Sequence, residues 1–338
     1  MAILSKLQPL HHPLFKKHKV HVEIKRDDII HPIISGNKWR KLKYNLQYVK
    51  RTQNINGLLS FGGCYSNHIH ALAFACFEQN IPCVGIIRGE VAHINNFTLS
   101  WAKHWGMKLH FVDRKTYRRR HDNNYLIELQ QQFPHYFIVP EGGSNELAIT
   151  GVAEIISELK QQTTFDTLIT PVGSGGTLAG LITGDKENYD VEHKLLGIAV
   201  LKGADYLINE VNALLPATVK KHRNWQVCTN FHRGGYAKFS SDDVQRILEF
   251  NKTTGVNFEP VYSGKMILAF LDLLEQGYFS SGERIVLLHT GGMQGLGGMI
   301  ERGILTTADW PTPERVASSE KYDTHCCSGN KKHRVFLP

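Results

Sequence analysis

No stretch of this sequence approaches the ~20 consecutive apolar residues that a membrane-crossing helix needs, so no membrane span is expected. The first ten residues, Met1 to Leu10, contain neither a long apolar core nor a clear cleavage site, and no secretory signal is expected. Cysteine is sparse. Cys64, Cys76, Cys83, Cys228, Cys326 and Cys327 form no CxxC pair and no framework spacing, which argues against a disulfide scaffold and for reduced thiols in a cytoplasm. His325, Cys326, Cys327 and His333 match no common zinc spacing, so no metal is expected. There is no internal repeat.

What is present is an ordinary globular composition: 42% hydrophobic and 21% charged over 338 residues, long enough for two lobes. The net charge of +8 favours an anionic partner. Its densest run, Arg114-Lys115-Thr116-Tyr117-Arg118-Arg119-Arg120-His121, reads as a solvated loop. The same charge would attract an anionic cofactor or an amino-acid carboxylate, and no nucleic acid is expected. Apolar strands at 57–61, 83–87, 108–112, 136–139, 167–171, 195–200 and 284–289 alternate with helices near 66–79, 96–105, 124–133, 144–160, 242–251 and 264–274. A short helix is expected after the glycine-rich turn at 173–176. This alternation predicts an α/β protein with parallel sheets covered by helices on both faces. In such sheets ligands bind beyond the carboxyl ends of strands. From about Thr306 the composition shifts to that of a poorly ordered tail.

The unusual residues follow those strand ends. Gly36-Asn37 delivers Lys38 to the start of a helix whose apolar stripe is Trp39, Leu42, Leu46 and Val49. Lys38 is either a solvated charge or an amine made carbonyl-reactive by burial and by cations such as Arg40 and Lys41. Gly62-Gly63-Cys64-Tyr65-Ser66-Asn67-His68 offers hydroxyl, amide and imidazole groups to a carboxylate or phenolate, or simply an N-cap at Ser66. Gly173-Ser174-Gly175-Gly176-Thr177 opens another helix as an anion cradle or a flexible turn, without a Walker lysine or the GxGxxG order; a small monophosphate cofactor fits it. Tyr262, in Glu259-Pro260-Val261-Tyr262-Ser263-Gly264-Lys265, is a core aromatic or an acid–base group, and Arg233-Gly234-Gly235 presents Tyr236 in a flexible setting. Thr290, at a strand end before Gly291-Gly292, carries a hydroxyl able to hydrogen-bond a ring nitrogen, but nothing in the local sequence singles it out.

These stretches, with Gly142-Gly143-Ser144-Asn145 and in this order, resemble the 1-aminocyclopropane-1-carboxylate (ACC) deaminases and D-cysteine desulfhydrases over roughly residues 10 to 300. Those are pyridoxal-phosphate enzymes of fold type II, built like the tryptophan synthase β subunit. The resemblance implies pyridoxal 5'-phosphate as cofactor, a small amino-acid substrate and a homodimer. It implies two lobes: a smaller one of residues 51–150, inserted in a larger one made of 1–50 and 151–305. Lys38 is implied as the Schiff-base lysine, Asn67 as partner of the phenolic oxygen, and Gly173, Ser174, Gly175, Gly176 and Thr177 as the phosphate loop. Ser66, Asn67 and His68 are implied at the substrate, with Ser66, Tyr236 and Tyr262 in the chemistry.

Two positions favour the desulfhydrase branch. ACC deaminases carry a glutamate after the equivalent of Tyr262, aimed at the ring nitrogen, and a leucine before the last Gly-Gly; this chain has Ser263 and Thr290. A hydroxyl partner makes a shallower electron sink than a carboxylate, adequate for expelling a good leaving group such as hydrosulfide. Met293-Gln294-Gly295-Leu296-Gly297-Gly298 and Gly62-Gly63-Cys64-Tyr65 depart from the family pattern. The expected activity is α,β-elimination on D-cysteine, with ACC deamination as the alternative. A non-catalytic binder of the cofactor or of an amino acid is the alternative from another class.

Overall fold

The computed structural model describes residues 4–34, 36–188, 193–220 and 224–306; the predicted tail therefore lies outside the described residues, apart from its first residue. Ten strands are described: β1 (Lys6–Pro9), β2 (His21–Arg26), β3 (Gly57–Gly63), β4 (Cys83–Arg88), β5 (Lys108–Val112), β6 (Tyr136–Val139), β7 (Thr167–Val172), β8 (Lys194–Ala199), β9 (Trp225–Cys228) and β10 (Arg284–Leu288). They form a six-stranded sheet of order β1-β2-β10-β7-β8-β9 and a four-stranded sheet of order β5-β4-β3-β6. All neighbours run parallel except β1 on β2.

Both sheets are covered on both faces. In the larger sheet Ile169, Leu196, Ile198, Ile285 and Leu287 pack with the helix Ser263–Glu275, while Leu168, Val172, Leu195, Val286 and Leu288 pack with the helices Glu146–Gln162 and Gly176–Asn188. In the smaller sheet Leu58, Cys83 and Ile87 face the helices Asn37–Arg51 and Asn67–Glu78, while Leu59, Phe61, Val84 and Ile86 face the helix Asn123–Gln132. Doubly covered strands have no polar face, which is why they read as continuous apolar runs. The stripe Leu42, Leu46 and Val49 of Asn37–Arg51 joins the cluster of the smaller sheet.

The strand order places the chemistry. Chain direction across the smaller sheet reverses at β3, with β4 on one side and β6 on the other. In the larger sheet β7 lies between β8 and β10. Such switch points open a crevice at the carboxyl ends of the strands. The turns after β3, β6, β7 and β10 are the glycine-bearing stretches singled out above.

Three expectations are corrected. The run 114–121 is not a loop: Asp113 caps it, accepting from the Lys115 and Thr116 N–H groups at 2.7 and 2.9 Å, and it folds as the helix Arg114–Arg118 and a 3-10 turn. Tyr117 is buried there, its hydroxyl donating to Glu141 at 2.6 Å, and Arg120 Nε donates to the same carboxylate at 2.6 Å. The helix after the glycine-rich turn is not short; it spans thirteen residues, Gly176–Asn188, because it packs along its length on Glu146–Gln162. Arg40 is not a cation for Lys38. It is buried and committed to Asp27 (2.9 Å) and Glu158 (2.9 Å), the latter also paired with Lys25 (2.7 Å). Against the cost of burial, Arg40 and Lys25 hold the Glu158 carboxyl below its usual value. This network ties the helix Asn37–Arg51 to the 146–162 helix and to β2.

Candidate active site

The crevice is a cleft of about 1410 Å³, lined among others by Lys38, Asn67, His68, Ser174, Tyr262 and Thr290. Ser66, Tyr236 and the residues Gly173, Gly175 and Thr177 line it as well. The site residues expected from the sequence, Gly176 apart, line this cleft; the turns after β4 and β5, which bring Arg88 and Asp113 to it, were not among them.

Lys38 is presented by a turn that only glycine permits. Gly36 has φ +62°, and a Cβ there would stand 1.8 Å from the Thr290 carbonyl oxygen, which accepts the Asn37 N–H at 3.2 Å. Lys38 Nζ donates to Asn37 Oδ1 at 2.9 Å, and Asn37 Nδ2 donates to Thr177 Oγ1 at 2.8 Å. Loss of water brings the Lys38 amine down to about 8. Burial alone accounts for this, without help from Arg40.

Lys41 was missed as a ligand in its own right. Three residues beyond Lys38, it shares that side of the helix, and this spacing was the available signal. Its side chain is buried, and among the described residues no carboxylate pairs with it. Nζ donates to Ser144 Oγ at 3.0 Å and to the Gly142 carbonyl at 3.3 Å; Ser144 Oγ is 2.8 Å from Ser174 Oγ. A Cβ on Gly176 would come within 2.4 Å of Ser144 Oγ and 3.0 Å of Lys41 Nζ, so the loop backbone sits directly against these groups. Burial first, then Lys38, lowers Lys41 well below the usual lysine value. A buried amine without a counter-ion, beside the free N–H groups of a helix start, fits a phosphate dianion.

His68 is buried. Nε2 lies 2.8 Å from Ser60 Oγ, and Nδ1 has no partner among the described residues. Burial, then Lys38 and Lys41, hold it far below its ordinary pKa and therefore neutral. Ser66 does serve as the N-cap, accepting the Ile69 N–H at 3.3 Å, while also lining the cleft. Asn67 Oδ1 accepts from Gln294 Nε2, a second residue that sequence reading missed. Gln294 lies in the 293–298 stretch that departs from the family pattern. The desolvated Lys38 and the cradle at Lys41 together fit pyridoxal phosphate.

Tyr262 and Tyr236 meet edge to face, ring centres 5.8 Å apart. Burial first, then its neighbour, raises Tyr262 well above the usual phenol value. The Glu259 carboxylate holds Tyr262 in place by accepting the N–H groups of Val261 (2.7 Å), Tyr262 (2.9 Å) and Ser263 (2.7 Å). Burial pushes this carboxyl up to about 7 against those bonds. The Ser263 hydroxyl, weighed above as the partner of a ring nitrogen, instead donates to Glu259 at 3.0 Å and lies outside the cleft lining. Thr290 does line it.

At the rim Arg88 stacks over the Tyr117 ring at 5.3 Å, and among the described residues no carboxylate pairs with it. No group of three or more potential metal ligands occurs among the described residues, and no helix there is long and apolar enough to cross a membrane.

A family profile described as "Pyridoxal-phosphate dependent enzyme" matches residues 6–291. A Thermotoga maritima protein, provisionally named a 1-aminocyclopropane-1-carboxylate deaminase, is 29% identical over 296 residues, 84% of this chain and 92% of that protein. An Arabidopsis thaliana protein named a mitochondrial bifunctional D-cysteine desulfhydrase/1-aminocyclopropane-1-carboxylate deaminase is 27% identical, covering 85% of this chain and 76% of its own length. Among solved structures, an ACC deaminase homologue superposes with a TM-score of 0.72 at 26% identity, covering 90% of this chain and 94% of that one.

Proposed function

Because the chain belongs to the pyridoxal-phosphate-dependent enzymes, we propose that it is a lyase acting on D-cysteine by α,β-elimination. Cysteine and water become pyruvate, ammonia and hydrogen sulfide. One observation carries this reading: a single cleft brings the desolvated Lys38 amine together with the paired rings of Tyr236 and Tyr262.

Bound pyridoxal phosphate supplies the electron sink that acidifies the substrate α-carbon. Lys41, Ser174 and the N–H groups of 175–177 would hold its phosphate, and Asn67 would bond its phenolic oxygen. An amine at about 8 has an appreciable neutral fraction near neutral pH, so Lys38 Nζ takes the α-proton. Tyr262, its pKa raised, stays protonated and donates to the departing sulfur. Ser66 binds the substrate carboxylate, and Thr290 would offer the ring nitrogen a hydroxyl. The neutral His68 spends its Nε2–H on Ser60, whose hydroxyl donates to the Val139 carbonyl, so its Nδ1 is an acceptor and does not bind the carboxylate. Water then hydrolyses the released aminoacrylate.

A second reading, deamination of ACC to 2-oxobutanoate, is favoured by the names of the Thermotoga and Arabidopsis relatives. The test incubates the cofactor-loaded protein with D-cysteine, L-cysteine or ACC and measures hydrosulfide and 2-oxo acid. Hydrosulfide with pyruvate from D-cysteine supports the first reading. 2-Oxobutanoate from ACC with no hydrosulfide from D-cysteine replaces it with the second.

A further inference from the structure

Lys265 has the surroundings of neither a surface lysine nor an ion pair. It is the third residue of the helix Ser263–Glu275, is fully buried, and among the described residues no carboxylate lies within ion-pair distance of it. Nζ donates instead to three main-chain carbonyls: His232 at 2.9 Å, Val200 at 3.3 Å, and Gly235. An ammonium has three donors, and all three are used on backbone.

Two of those carbonyls belong to the turn that carries Tyr236. Its backbone is contorted: Arg233, Gly234, Gly235 and Ala237 have φ of +51°, +90°, +115° and +52°. Two consecutive glycines tolerate this, but Arg233 and Ala237 do not adopt it readily, and such conformations persist only where the surroundings over-determine them. The side chains holding the turn are few. Arg233 reaches Asp272 and, at 3.6 Å, Asp243; the His232 ring accepts the Gly234 N–H at 3.0 Å; Lys265 does the rest. The charges facing Lys265 are Glu259, Asp243 and Arg233; burial, with Arg233, outweighs the two carboxylates and lowers its ammonium to about 8.

We propose that Lys265 is a positioning residue: it clamps the 232–237 turn to the start of the helix Ser263–Glu275 and so fixes Tyr236 against Tyr262. One seven-residue stretch then sets both tyrosines. At its beginning Glu259 grips the backbone of Tyr262, and at its end Lys265 grips the loop of Tyr236. The consequence for turnover rests on the reading that the two tyrosines act on the substrate; the clamp itself does not.

The test uses the cofactor-loaded protein and Lys265→Met, with Lys265→Gln, which keeps two amide donors, as a second variant in case the first does not fold. Amide hydrogen exchange is followed by mass spectrometry. Exchange across 232–238 is expected to rise roughly tenfold or more, while exchange across 57–88 stays unchanged. Turnover is expected to fall with little change in cofactor affinity, and to fall no further when Lys265→Met is added to Tyr236→Phe. Unchanged exchange across 232–238, or losses that multiply in the double variant, would overturn the proposal. The exchange result holds whichever amino acid is the substrate, so a failure of D-cysteine as substrate is seen separately.

Discussion

At one end of the cleft, the cofactor groups are held mainly by close backbone. Lys38 hangs from a turn locked against the Thr290 carbonyl, and the Gly176 backbone lies against Lys41 and Ser144. At the other end, the tyrosines are held by two buried ionisable side chains, Glu259 and Lys265, which grip main-chain groups. The first construction tolerates no added atom. The second tolerates small changes of shape but depends on charge. The lysine end should therefore fail sterically and all at once, and the tyrosine end gradually and with pH.

The largest expected effect is at Lys38. Lys38→Ala removes both the attachment point and the base, and turnover with D-cysteine should drop by roughly 10⁴-fold. Turnover undiminished in a steady-state assay would break the assignment. Next is Gly36→Ala, which puts a Cβ into the Thr290 carbonyl at positive φ. A loss of about 2–4 kcal/mol in urea unfolding, together with loss of cofactor, is the expected outcome. Lys41→Met should weaken pyridoxal phosphate about 10- to 100-fold while leaving pyridoxal, which lacks the phosphate, nearly unaffected. Equal losses for both would place Lys41 elsewhere than on the phosphate.

The smallest effect sharpens the tyrosine end. Burial raises the Glu259 carboxyl from 4.5 to about 7, so the folded protein holds a proton there that the unfolded chain releases. Its contribution is fully present below pH 4.5 and is lost as pH rises through about 7. Glu259→Gln should therefore lose less stability than the parent between pH 5 and 8, by about 1–3 kcal/mol in urea titrations. Parallel pH curves for the two proteins would contradict this.

The same contrast separates what the sequence makes legible from what it does not. Covered parallel strands announce themselves as apolar runs, and glycine turns at their ends mark where ligand meets backbone, so β3 and β7 with their loops were readable; β10 was readable as a strand, but the Thr290 turn after it stood out only through the family resemblance. The short edge strands β1 and β9 were not: four residues each, with none buried in β1 and only Val227 and Cys228 buried in β9, leave no periodicity to read. The run 114–121 looked like solvated charge because nothing local reveals that Glu141, some twenty residues on, will bind both Tyr117 and Arg120. Likewise Ser263 stood in the right place in the motif, and only the fold shows its hydroxyl turned to Glu259. Lys265 was quoted as part of a motif, but the carbonyls it serves lie 30 and more residues away.

Two lysines one helical turn apart, Lys41 buried and Lys38 half-buried, both with depressed pKa, are assigned different work: Lys38 to the cofactor aldehyde and Lys41 to its phosphate. Borohydride reduction of the protein incubated with pyridoxal phosphate, followed by peptide mapping, tests this most directly. The phosphopyridoxyl group is predicted on Lys38, with none on Lys41. A label on Lys41, or none on either lysine, would contradict the assignment.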